Sequence, residues 1–140
     1  MVTIDQSFPK GAGFAQWMLN VGASTTLGSF PVSSGRHDVD AVNGMPTTDP
    51  VAVRWVYGTS PNIVEYYTFN TPVGQPADKQ CGKVVFSDLH VAAGDQTGGT
   101  FPNNCDNQPL TPQEKALEFL LFDLSSCIQN DTTPLPPPVN

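Results

Sequence analysis

Apolar positions recur with a helical period at two places along this chain, and with a strand's shorter period between them. In "PKGAGFAQWMLNVGAST", Phe14, Trp17, Met18 and Val21 fall on one helical face, entered after Pro9 and left near Gly22. Shorter β-prone runs follow, with Leu27 to Val32 and Asp38 to Val42 as strand candidates. "VAVRWVY", 51–57, alternates more strictly: Val51, Val53, Trp55 and Tyr57 on one side, Ala52, Arg54 and Val56 on the other. "NIVEYYTFN", 62–70, is β-branched and aromatic, and Pro61 and Pro72 keep it short.

In "CGKVVFSDLHV", 81–91, Val84, Val85, Phe86, Leu89 and Val91 form a nearly continuous apolar strand, the pattern of a strand covered on both faces. A stretch rich in Gly, Asn, Pro and Asp separates it from "LTPQEKALEFLLFDLSSCI". There Thr111 is expected as N-cap, Pro112 at the first helical position and Glu114 as the reciprocal member of a capping box. Leu117, Leu120, Leu121 and Leu124 form the expected buried stripe, widened by Phe119 and Phe122. The elements predict an α/β layered domain: a mixed sheet of about five strands, flanked by an N-terminal and a C-terminal helix.

Composition narrows the class. With 140 residues, the chain suits one domain with a modest core, and 39% hydrophobic residues including 8 Phe argue against global disorder. Only 14% of residues are charged while Gly (12) and Pro (14) are abundant, a composition of secreted bacterial modules more than of cytosolic enzymes. A net charge of −7 with six Lys plus Arg excludes nucleic acid and anionic membrane surfaces as partners, because little is available to neutralise phosphates. No apolar run approaches the roughly 20 residues of a membrane span. Met1-Val2-Thr3-Ile4 reads as an initiator Met before a segment cut from something longer, with no signal-peptide pattern. The tail "TTPLPPPVN" reads as a linker. The expected organisation is one module at 1–128, excised from a larger protein, and a Pro-rich tail at 129–140.

Three cysteines, Cys81, Cys105 and Cys127, leave an odd one however they pair. A strand advances about 3.3 Å per residue and a helix about 1.5 Å, so a helix returning across the strand ends near the strand's beginning. This geometry predicts a Cys81–Cys127 disulfide, with Cys105 left free or for an intermolecular bridge. Three reduced thiols, or a Cys105–Cys127 bridge, are the alternatives. Metal binding by the thiols has little support, since there is no CxxC and a fourth ligand would have to be His37 or His90.

A Gly-led apolar strand ending in His, an irregular loop and a closing helix, "CGKVVFSDLHV … PLTPQEKALEFLLFDLSSCI", resembles the C-terminal end of class I glutamine amidotransferase-like and ThuA-like domains. With "FNTPVG" upstream, it also resembles modules of unassigned role in large secreted bacterial proteins. The resemblance covers roughly residues 62–128 and implies a flavodoxin-like fold. In the amidotransferases that strand carries a catalytic His followed two residues later by Glu. Here His90 takes the His position and Ala92 stands at the Glu position, and no cysteine lies at a strand-to-helix elbow. The resemblance therefore implies a copy without the enzyme, or one whose missing half lies upstream.

Period-two placement sets Asp88 and His90 on one face, where they could form an acid–base or metal pair joined by Asp95, at the sheet edge where open α/β sheets bind ligands. In structural roles, Asp88 would cap loop amides and His90 would hydrogen-bond at the strand end. "GRHDVDAVNG" offers Asp38, Asp40 and Asn43 as hard oxygen ligands for Ca²⁺, without the spacing of an EF-hand. Otherwise no cofactor is expected. His37 with His90 is a sparse transition-metal pair. Trp55, Tyr57, Tyr66 and Tyr67 could stack on sugars if exposed, or build the core. Asn130-Asp131-Thr132 matches a glycosylation acceptor that matters only in a eukaryotic secretory host. The expected function is a non-catalytic structural or ligand-interaction module of a secreted or cell-surface bacterial multidomain protein, its partners neighbouring domains and a carbohydrate or protein ligand. The alternative is a degenerate or partial amidotransferase- or hydrolase-like enzyme using Asp88 and His90, with or without a metal.

Overall fold

The computed structural model describes residues 1–42, 51–91 and 109–125. They form a five-stranded sheet with one face covered by two helices. The strands are β1 (Val2–Ile4), β2 (Ser29–Phe30), β3 (Val53–Thr59), β4 (Asn62–Thr71) and β5 (Gly82–Ser87), in the order β2-β1-β3-β4-β5. The helices are α1 (Pro9–Asn20) and α2 (Pro112–Ser125).

Every strand pairing is antiparallel, so the mixed sheet expected from sequence is corrected, and the parallel strands of a flavodoxin-like fold are not those of this sheet. The connections explain the difference. β3 and β4 are joined through Ser60-Pro61 alone, a hairpin, and the segment between β4 and β5 holds only a single 3₁₀ turn at Ala77–Lys79. A parallel crossover needs a dozen or more residues, usually a helix. The strand expected at 84–91 runs instead from Gly82 to Ser87 and lies at the sheet's edge, not in its interior. Its residues are half-buried or exposed, whereas Asp88 and Leu89, beyond its end, are buried. Val2–Ile4, to which the sequence pattern assigns no element, is a strand whose Val2 and Ile4 enter the core.

Trp55 is the hub of that core. Its ring stacks on Tyr66 with centroids 5.1 Å apart and takes the edge of Phe8 at 5.0 Å, while its Nε1–H donates to Thr68 Oγ1 at 2.8 Å. α1 contributes Phe14, Ala15 and Met18, and α2 contributes Ala116, Leu120 and the ring of Phe119, 4.7 Å from Phe14. The β3–β4 register shifts on either side of Val56, and Trp55 and Val56 are both fully buried. Strict alternation, which would place those two on opposite faces, fails at this irregularity.

α2 begins as expected: the Thr111 N–H donates to Glu114 Oε2 at 2.6 Å and the Glu114 N–H to Thr111 Oγ1 at 3.3 Å, closing the capping box. Those bonds to the Thr111 backbone and hydroxyl hold the Glu114 pKa below the ordinary carboxylate value. The expected stripe is only partly buried. Leu120 is in the core and Leu117 against it, but Leu121, Phe122 and Leu124 are exposed, because Gln113, Ala116 and Leu120 define the inward face instead. At its far end Asp123 meets Lys10 Nζ at 2.6 Å and Lys83 Nζ at 3.5 Å, all three side chains nearly buried. The second contact sets Asp123 of α2 beside Lys83, near the start of β5. Cys81 itself is exposed; Cys105 and Cys127 lie outside the described residues, and so does the pairing expected of them.

Candidate functional site

β5 leaves β4 at Ser87, and what replaces it there is a loop. The Asp88 N–H still donates to Glu65 O at 2.7 Å, but beyond that point Val39 O takes over, accepting the Val64 N–H at 2.7 Å. Segment 35–40 is thus laid along the end of β4 that β5 does not reach. Four further contacts order it. Asp88 Oδ2 accepts the Asp38 N–H at 3.2 Å, His37 Nε2 lies 2.6 Å from Asp40 Oδ1 and 3.1 Å from Asn62 O, and Asn62 Nδ2 donates to Asp40 O at 2.9 Å.

Under this loop lies Glu65, only 1% exposed, with Oε2 completely buried and bonded to no hydrogen-bond donor. Gly35 passes so close that a Cβ there would come within 2.6 Å of Glu65 Oε1, so a larger residue would have to displace the Glu65 carboxyl. Burial, and then the neighbouring Asp88 carboxylate, push the Glu65 pKa up to about 7 against the opposing pull of His37. A buried carboxyl group in this state holds its proton up to near neutrality, because losing it would place an unsolvated charge beside a second carboxylate. Their burial also keeps any substrate out while the loop is closed, since Asp88 is itself only 7% exposed.

His90 does not join them. The period-two argument fails because β5 stops at Ser87: Asp88 is buried while His90 is exposed, and no hydrogen bond or ion pair links the two among the described residues. The His90 carbonyl accepts from Gln113 Nε2 at 2.7 Å. The same amide nitrogen donates to Ser33 O at 3.0 Å, and Gln113 Oε1 accepts from the Ser33 N–H at 2.8 Å and Oγ at 2.9 Å. Gln113 thereby fastens α2 to both the loop entering at Ser33 and the segment leaving through His90.

The other candidates fare as follows. Among the described residues no three His, Cys, Asp or Glu side chains are assembled to hold a metal. Asp40 is engaged by His37, and Asp38 contributes its backbone rather than its exposed carboxylate, so the calcium reading of this turn has no ligand set in the described part; Asn43 and Asp95 lie outside it, as do Ala92 and Asn130. Trp55 and Tyr66 are buried in the core and unavailable to a sugar. Tyr57 is half-buried with the Arg54 guanidinium 3.7 Å above its ring, and Arg54 is steered there by Asp5, 3.0 Å from its Nη2. Burial works to raise the Asp5 pKa, but hydrogen bonds from Ser7 and Arg54 outweigh it and leave the carboxyl below its ordinary value. Tyr67 stands between Phe86, at 4.9 Å, and Phe69, at 6.4 Å, all three rings nearly parallel.

Glu65 and Gln113 were not among the residues singled out from sequence, yet each carried a signal. Glu65 is the one charged residue in the apolar run "NIVEYYTFN", and Gln113 falls on the helical face shared with Ala116 and Leu120. No protein-family model, no curated protein and no solved structure matches this chain.

Proposed function

We propose that this chain is a non-catalytic interaction module, of the kind that large secreted or cell-surface bacterial proteins carry in series. The observation that supports this best is the use made of Asp88. The residue is buried and its carboxylate accepts the Asp38 N–H, while His90 is exposed and makes no hydrogen bond to it among the described residues, an arrangement that supports a structural role for Asp88 over an acid–base one. The weak charge and the Gly and Pro content support an extracellular setting. The face turned from the helices, carrying Tyr57, Tyr67, Phe69 and Phe86, is the surface we assign to a partner. A protein, such as a neighbouring domain of the parent chain, suits it better than a sugar, because those rings already cover one another's faces or are covered by Arg54.

The test compares Asp88→Ala with His90→Ala at pH 5.5, where Glu65 is protonated and its repulsion by Asp88 does not enter. Loss of the acceptor for a part-buried N–H costs about 1–3 kcal/mol, whereas an exposed His costs within about 0.5 kcal/mol. A catalytic pair behaves the opposite way, since removing groups kept for chemistry leaves stability unchanged or raises it. Equal stability of both variants and the parent, or hydrolysis of a glutamine amide that His90→Ala abolishes, would turn the assignment to the enzyme.

A further inference from the structure

The free end of β4 is closed by a clasp whose underside is acidic. Segment 35–40 is held by the Val64 N–H to Val39 O and the Asp38 N–H to Asp88 Oδ2, and directly beneath it Glu65 Oε2 is buried without a hydrogen-bond donor. We propose that Glu65, with Asp88 as its charged neighbour, is a proton-operated latch: the proton on Glu65 keeps segment 35–40 docked on β4, and its loss drives that segment off. This stands whether or not the outer sheet face binds a partner.

The surroundings define what else could supply the charge balance. From the segment after β5 comes Asp88; from the loop comes His37, itself held by Asp40. On β3 the cation is Arg54, spent on Asp5 and on the ring of Tyr57. Once the proton leaves, two carboxylates face each other under the loop, and the attraction of His37 is the one opposing charge that bears on Glu65. Opening rehydrates both carboxylates at the expense of the bonds from Val64 N–H to Val39 O and from Asp38 N–H to Asp88 Oδ2, and of those joining Asn62 to His37 and Asp40. It also uncovers Val64, fully buried when the latch is shut and the register partner of Tyr57 on β3. The device would thus enlarge the apolar surface beside Tyr57 in neutral medium and withdraw it in acid.

The sign follows from linkage. A carboxyl group whose closed-state pKa is raised from 4.5 to about 7 binds more protons closed than open across that interval. Opening therefore becomes easier by about tenfold per pH unit through the interval and levels off above it. Amide hydrogen exchange of the intact protein, read by NMR at Val64 and Asp38 and corrected for the intrinsic pH dependence of exchange, measures this directly. Protection at both amides should fall roughly hundredfold between about pH 5 and 7, then stay level. Glu65→Gln, which carries an amide that never ionises, should hold high protection throughout. Asp88→Asn keeps an acceptor for Asp38 but removes the repelling charge, so it should show a smaller fall than the parent; it serves alone if the Gln variant fails to fold. Constant protection in the parent, an undiminished fall in either variant, or recovery of protection at pH 7.5 on adding millimolar Ca²⁺ would overturn the proton latch.

Discussion

Replacing Gln113 by Glu changes one nitrogen to oxygen and tests how the walls of the clasp are joined. The parent amide is 5% exposed and donates to two carbonyls, Ser33 O at 3.0 Å and His90 O at 2.7 Å. Glutamate keeps the acceptor for Ser33 but turns an acceptor oxygen toward both carbonyls. Two part-buried carbonyls losing their donor cost about 2–4 kcal/mol together, and burying the new charge adds to this. The position near the N-terminus of α2 returns about 0.3–1 kcal/mol through the helix dipole, too little to reverse the sign. The net loss at pH 7.5 should be about 3–4 kcal/mol. In acid the new carboxyl is protonated and again has one donor, so the loss should shrink to about 1–2 kcal/mol near pH 4.5. The sign is fixed by the raised folded-state pKa of the introduced group, whose penalty grows as pH climbs from its unfolded value toward that higher one. Urea unfolding followed by the fluorescence of Trp17 and the buried Trp55, variant against parent at each pH, gives both numbers. A loss under about 1 kcal/mol at pH 7.5, or a greater loss in acid than at neutrality, would refute the role given to Gln113.

Two further outcomes follow from the core and from the carboxylate pair. Trp55→Phe removes the donor to Thr68 Oγ1 and part of the ring that Tyr66 and Phe8 pack against, and should cost about 2–3 kcal/mol in thermal unfolding followed by circular dichroism; a loss within about 0.5 kcal/mol would mean that the hub is not Trp55. Glu65→Gln should raise global stability by about 2 kcal/mol at pH 8 and leave it nearly unchanged at pH 5, because the parent's penalty for ionising Glu65 develops only between those values; a variant less stable at pH 8 than at pH 5, relative to the parent, would contradict it.

What was legible in the sequence was local. Pro9, Thr111, Pro112 and Glu114 punctuate the helices through short-range hydrogen bonding and backbone restriction, and both helices begin where those residues require. β4 forms over Asn62–Thr71, where the β-branched and aromatic run between Pro61 and Pro72 places a strand. What was not legible depended on partners remote in the chain. An apolar run such as 84–91 is the same whether a strand is interior or ends early and sends Leu89 into the core from a loop. The pairing of Asp88 with Glu65 rather than His90 hinges on where β5 stops, which is set by segment 35–40 occupying the rest of β4's edge. Lys83 shows the same dependence: its charge points inward from an edge strand because Asp123 of α2 is there to meet it, an arrangement that also discourages edge-to-edge association. The exposed Leu121, Phe122 and Leu124 misled for a different reason, since a helix rich in leucine offers several candidate stripes and the choice among them is made by Gln113.

The most direct measurement is a carbon-13 NMR titration of the side-chain carboxyl groups in the intact protein. If Asp88 belongs with Glu65 under the loop, the Glu65 carboxyl should titrate with a midpoint of about 7. A Glu65 midpoint near the ordinary value of 4.5 would contradict the assignment of these residues.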